Sequence, residues 1–166
     1  GLVDNATDQN IKLVQLQDNV FRTQQPIAKG DKFKIEVTNS IECYTYVFGW
    51  DTDGSSYTLF PYTSKHSPYC GITGTRLFPK DYSMVADNIG NTDVIAVVIS
   101  KKPLDYERVR ARMNASRKES YGGRLSEALG PEQVDDVRFQ AGSAISFVGD
   151  TKGKNAVGLV IAIDKK

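Results

Sequence analysis

The chain has 166 residues, 40% hydrophobic and 25% charged, with 21 basic and 20 acidic side chains and a formal charge of +1. That length suits a single domain (1–166) with a sizeable core and is cramped for two. The balanced charge excludes a global field for nucleic acid or an anionic membrane, and no apolar run approaches the roughly 20 residues a spanning helix needs.

Residues 1–10 read as a polar leader, continuing from a signal segment or domain that lay upstream. Ile11, Leu13 and Leu16 then suggest a weak first strand. Gln24-Gln25-Pro26 and Lys29-Gly30-Asp31 punctuate the way to a clean one, in which Phe33, Ile35 and Val37 alternate with Lys32, Lys34, Glu36 and Thr38. Alternation with period two predicts one buried and one wet face.

From Ile41 to Trp50 both faces carry β-branched or aromatic residues, with Tyr44, Tyr46, Phe48 and Trp50 on one side and Cys43, Thr45 and Val47 on the other, so both are expected to be covered. Asp53-Gly54 predicts a two-residue type I′ hairpin into a strand from Ser56 to Phe60, ended by Pro61. Residues 62–80, broken by Pro68, Gly71, Gly74 and Pro79, read as a long loop with at most a short strand over Arg76 to Phe78. Asp93 to Ser100 is almost continuously apolar, the pattern of a central strand buried on both faces.

Pro103 marks an expected helix start, with Tyr106, Val109 and Met113 on its inner side, and a second helix is expected over Gly123 to Leu129, stopped by Gly130-Pro131. Residues 103–130 thus form a helical insertion. Strands Val137 to Gln140, Ala144 to Val148 and Ala156 to Ile163 follow, the last two joined through Lys152-Gly153. The expected fold is mainly β, an antiparallel β-sandwich-like domain with one or two helices inserted between strands. Leu59-Phe60-Pro61 recurs as Leu77-Phe78-Pro79, read as two strand ends closed by proline.

The succession Gly30-Asp31, alternating strand, Tyr44 to Phe48, Asp53-Gly54, Leu59-Phe60-Pro61, Gly74, Pro79, Val94 to Ser100 and Lys102-Pro103-Leu104 resembles the bacterial domain of unknown function 4384 family, over about Gly30 to Leu104. Tyr62 stands where family members often carry asparagine, and nothing from Asp105 onward matches. The resemblance implies a β-sandwich-like accessory module of longer bacterial proteins, beside caspase-like peptidase or kinase domains. It implies no ligand, cofactor or catalytic residue.

Several residue sets invite chemistry. His66, the single histidine, precedes Cys70 by four residues in one loop and suggests a thiol–imidazole pair, but no third orienting group is apparent. Cys43 and Cys70 fit either one disulfide or two buried thiols. Asp51, Asp53 and Gly54 echo the start of a calcium loop, yet Tyr62 stands where its closing glutamate belongs. Two cysteines and one histidine cannot close a zinc site alone.

Between Lys101 and Arg124 lie eight basic residues, Lys101, Lys102, Arg108, Arg110, Arg112, Arg117, Lys118 and Arg124, with no interleaved aromatic platform, so a solvated face or a docking surface for another domain is expected over a nucleic-acid site. Around the hairpin and loop gather Trp50, Tyr57, Tyr62, Tyr69 and Tyr82. Core packing is the first expectation for these aromatics, and with His66 the set Trp50, Tyr62, Tyr69 and Tyr82 is the candidate binding surface.

The leading expectation is a non-catalytic accessory or interaction module binding a neighbouring domain, a protein or a glycan. The alternative is a hydrolase-like enzyme using His66 and Cys70, and a third reading has residues 101–124 binding a phosphate-rich polymer. No cofactor is expected, and a periplasmic or extracellular place is favoured over a cytoplasmic one. The sequons Asn5-Ala6-Thr7 and Asn114-Ala115-Ser116 are read as chance in a bacterial protein.

Overall fold

Alternating apolar strands must bury their inner faces against one another, and in the computed structural model, which describes residues 1–71 and 74–166, two sheets do so. The chain runs β1 (Leu2–Asp4), β2 (Asn10–Ile11), β3 (Leu13–Gln17), β4 (Val20–Thr23), β5 (Lys32–Asn39), β6 (Cys43–Trp50), β7 (Ser56–Phe60), β8 (Tyr69–Cys70), β9 (Gly74–Phe78), β10 (Met84–Val85) and β11 (Thr92–Ser100). Helices α1 (Tyr106–Ala115) and α2 (Tyr121–Leu129) follow, then β12 (Asp136–Gln140), β13 (Ser146–Asp150) and β14 (Ala156–Asp164).

Among the described residues the smaller sheet has the order β10-β5-β1-β2, with β9 pairing the other end of β5. The larger sheet has the order β3-β4-β14-β11-β6-β7, with β8 pairing β6. Pairing is antiparallel except between β4 and β14. Strands β12 and β13 form a separate hairpin, which packs Phe139 edge-on against Phe21 with ring centres 5.3 Å apart. The fold is mainly β and sandwich-like, as the periodicity predicts.

Three layers result. Phe33, Ile35 and Val37 of β5 meet Val47, Ile95, Val97, Leu159 and Ile161 of the larger sheet in the inter-sheet core. On the other side of the larger sheet, Tyr46, Phe48, Ala96, Val98 and Val160 pack against Leu125, Leu129 and Met113 from the helices. Strand β11 lies between β14 and β6, central and covered on both faces as its composition requires. The two covered faces of β6 likewise divide as expected.

The boundaries differ where caps and short elements decide. Helix α1 begins at Tyr106 rather than Pro103, because the Asp105 carboxylate accepts the Arg108 N–H at 3.1 Å and sets the first turn. Helix α2 begins two residues before Gly123, because Ser120 caps it and Tyr121 is buried, and it stops at Gly130 with φ +55°. The β6–β7 turn is not a two-residue type I′ loop. The Gly54 N–H donates to Asp51 O at 2.9 Å, the Asp51 N–H donates to Ser55 O at 2.8 Å, and only Gly54 has positive φ. This is a type I turn followed by a left-handed glycine.

The polar stretch 1–10 is part of the sandwich rather than a lead-in to it. Leu2 is fully buried, β1 pairs with β5, and β2 pairs with β1. The expected first strand is really β2 and β3, one in each sheet, and β4 is an unexpected parallel neighbour of β14. The 62–80 loop holds β8 and a five-residue β9, and Phe60 and Phe78 of the repeated tripeptides meet at 4.2 Å. Both Phe-Pro bonds are cis. Near the end of the chain, β13 starts at Ser146 rather than Ala144 and continues to Asp150.

Candidate functional site

The five-residue candidate surface divides into separate places. Tyr62, half-buried, packs its ring against Phe60 at 5.3 Å, His66 at 4.7 Å and Tyr82 at 5.6 Å. Its hydroxyl accepts the Lys80 N–H at 2.8 Å, and burial raises its pKa above the ordinary phenol value. His66 is exposed, with Nδ1 2.9 Å from the Thr63 hydroxyl, and Tyr82 is 54% exposed. These three form one aromatic group, braced where Arg76 lies over Phe60 and Phe78 and donates to the carbonyls of Tyr69 and Ser67.

Trp50 is not part of it. Its side chain points to the helical layer, 4.8 Å from Tyr121 and beneath the Arg124 guanidinium, because it shares the face of Tyr46 and Phe48. Tyr69 is on β8, edge-on to its cross-strand neighbour Tyr44 at 5.6 Å. The edge strands on either side of Tyr82 carry exposed aliphatic residues. Strands β9 and β10 run end to end along one side of β5, and Leu77 and Val85 sit opposite Glu36 and Lys32 on the outward face. Both are exposed, and exposed Tyr82 belongs to the segment that connects β9 to β10.

Cys43 and Cys70 are free, buried and directly opposite one another across β6 and β8. The Cys70 sulfur lies 3.4 Å from the Thr45 hydroxyl, whereas the His66 ring meets Tyr62 and Thr63. The two side chains thus keep different partners and form no dyad. Burial, reinforced by Cys70, pushes the Cys43 thiol up to about 11, the opposite of what activates a nucleophile.

The Asp51 and Asp53 carboxylates accept from their own turn. Asp53 takes the Ser55 N–H at 2.8 Å and its hydroxyl at 2.5 Å, and these bonds lower its pKa. Among the described residues no group of three or more histidine, cysteine, aspartate or glutamate side chains is placed to hold a metal ion. In the basic stretch, Arg110 pairs with Glu107 at 2.9 Å, Arg112 donates to Ala128 O, and Arg124 donates to the carbonyls of Lys118 and Gly54. Those three guanidiniums serve the helical layer instead of forming a phosphate-binding stripe.

Two features lie outside the sequence reading. The Lys165 ammonium is buried and donates to Asp87 at 2.6 Å, Asp93 at 2.9 Å and Ile89 O at 2.8 Å. Burial lowers its pKa, but the two carboxylates more than offset that and leave it raised. The second feature is a cleft of about 540 Å³ between the two sheets, beside the β12–β13 hairpin. Val97 and Ile99 of β11, Val157 and Leu159 of β14, Val37 of β5 and Phe147 of β13 line it. No local motif marks it, since its walls come from separate segments.

The class defined by these observations is a β-sandwich with a helical third layer, an exposed aromatic edge and an apolar cleft. Residues 27–103, a little under half the chain, match the family model described as Domain of unknown function (DUF4384). That span runs from just before β5 to just before α1, in agreement with the resemblance drawn from its motifs. No curated protein and no solved structure shows a significant match.

Proposed function

We propose that this chain is a non-catalytic accessory module of an exported bacterial protein, and that it docks a protein surface through the Leu77–Tyr82–Val85 edge. The observation that carries this reading is the exposure of these three side chains. Leu77 and Val85 stand on the edge strands β9 and β10 and Tyr82 in the segment between them, each at least 44% exposed, and the Tyr82 ring packs on Tyr62. Aromatic anchors held from behind lose little entropy on binding. The aliphatic neighbours favour a protein over a glycan, because sugar rings stack on aromatic faces and gain little from Leu77 or Val85.

The edge strands β9 and β10 also have no further strand beside them among the described residues, so a partner can add backbone hydrogen bonds as well as side-chain contact. The hydrolase alternative has less support, given a buried Cys70 and an exposed His66 with separate partners.

The test places a photoreactive phenylalanine analogue at position 82 of the full-length protein in its native host. The expected result is one discrete protein adduct, lost when Leu77→Asp is added and retained with an exposed control change, Lys152→Ala. A glycan adduct, or an adduct insensitive to Leu77→Asp, overturns the reading. So does the absence of any adduct.

A further inference from the structure

We propose that the inter-sheet cleft binds a single-chain anionic amphiphile, an aliphatic carboxylate whose chain enters between the sheets and whose head meets Lys101. The volume of about 540 Å³ falls within the roughly 300–1,000 Å³ of small-molecule sites. Strand alternation builds the floor. On β11 the inward row is Ile95, Val97 and Ile99, and on β14 it is Val157, Leu159 and Ile161. Ile99, Val157 and Phe147 remain partly exposed inside the cleft, so the sheets do not close on one another there.

Lys101 is the next residue in the inward row after Ile99, which places it at the mouth rather than on an outer face. Its ammonium donates to the Thr151 hydroxyl at 3.1 Å and has no carboxylate within ion-pair distance among the described residues. Glu36 also borders the cleft, but its side chain belongs to the outward row of β5, opposite Leu77. An aliphatic interior with the Lys101 ammonium at its rim, beside the Gly1 amino group that donates to the Glu36 carbonyl, is complementary to a chain ending in a carboxylate. Exposed Ile41, also on the rim, extends the apolar surface outward.

This site shares no residue with the Leu77–Tyr82–Val85 edge, so either proposal can fail without the other. The experiment titrates the protein with dodecanoate below its micellar concentration, with 1-dodecanol and butyrate in parallel arms, following methyl NMR signals. The expected result is saturable one-to-one dodecanoate binding that shifts the methyls of Val97, Ile99 and Val157, with butyrate at least tenfold weaker. Lys101→Met is expected to weaken dodecanoate about tenfold and leave 1-dodecanol unchanged. Val157→Phe is expected to weaken both chains by at least tenfold.

The methyl shifts on the unaltered protein decide the site even if Val157→Phe fails to fold. Absence of saturable binding, shifts confined to other methyls, or equal losses for acid and alcohol in Lys101→Met overturns the proposal. Saturation of the same methyls by an apolar β-strand peptide but not by dodecanoate overturns it as well.

Discussion

The two faces of the larger sheet are closed in different ways. On the helix side contact is tight. A side chain at Gly158 would approach Leu129 Cδ1 to 2.8 Å and Leu125 Cδ2 to 3.0 Å, so α2 rests on the strand where a glycine leaves room. On the sandwich side the same strand, one residue earlier at Val157, opens into the cleft. The ends of β14 differ too: its start borders open space, and its far end is followed by Lys165, held by Asp87 and Asp93. One face and one end are fixed, and the others retain space.

Breaking the tight face is expected to have the largest effect. Leu125→Ala removes a fully buried side chain from the α2 contact and is expected to cost about 3 kcal/mol in urea unfolding, within the range for leucine truncation in a packed core. Val157→Ala, at the partly exposed cleft wall, is expected to cost less than half as much. Equal costs would mean that the cleft closes in solution.

Breaking the tied end comes next. Lys165→Met strips the ammonium from two carboxylates and is expected to cost about 2 kcal/mol at neutral pH, a value tempered by the exposure of Asp87. The Lys165 pKa is raised in the folded protein, so its contribution is complete below the unfolded value of about 10.4 and fades as pH rises through the folded one. The difference between wild type and Lys165→Met in thermal unfolding should therefore narrow as pH rises beyond the unfolded value of about 10.4. A difference that stays constant with pH would assign the loss to packing alone.

The same contrast explains what sequence reasoning could reach. Strand β5 shows three apolar residues at strict alternation, and β11 an apolar run too short for a spanning helix, so both reveal their environment locally. Strand β1 has three residues and β4 has four, too few periods to distinguish Leu2 or Phe21 from residues of a polar loop, although both are fully buried. Trp50 could be assigned to a face but not to a layer, because alternation says nothing about what covers that face. Lys165 was invisible, since its burial depends on carboxylates more than 70 residues away. The cleft was invisible for the same reason, whereas Tyr62, His66 and Tyr82 are near in sequence and the fold brings their rings together.

A milder challenge to the tight face is Gly158→Ala. The added methyl would stand 2.8 Å from Leu129 Cδ1, so that leucine end must shift, and because it is the end of a side chain rather than backbone the expected cost is about 1 kcal/mol. Combining it with Leu125→Ala, which vacates the contested space, should recover part of that cost. A double-mutant cycle with no coupling would show that the close approach of α2 does not limit stability.

The smallest expected effect concerns Cys43, which borders the cleft and faces Cys70. With its thiol raised to about 11, the folded protein holds the proton more tightly than the unfolded chain, whose thiols titrate near 8.5. The unfolded state therefore binds fewer protons between those values, and stability must fall as pH rises across that window, the full contribution being present below about pH 8.5. Cys43→Ala should flatten that part of the profile without changing the region below pH 8. The burial of both sulfurs predicts that neither thiol is alkylated appreciably at pH 7.5 in the folded protein, while both react once urea exposes them. Rapid alkylation of folded protein would mean that the cleft side of β6 opens readily. The free thiols would then be held by a weaker wall than the helix side of the same strand.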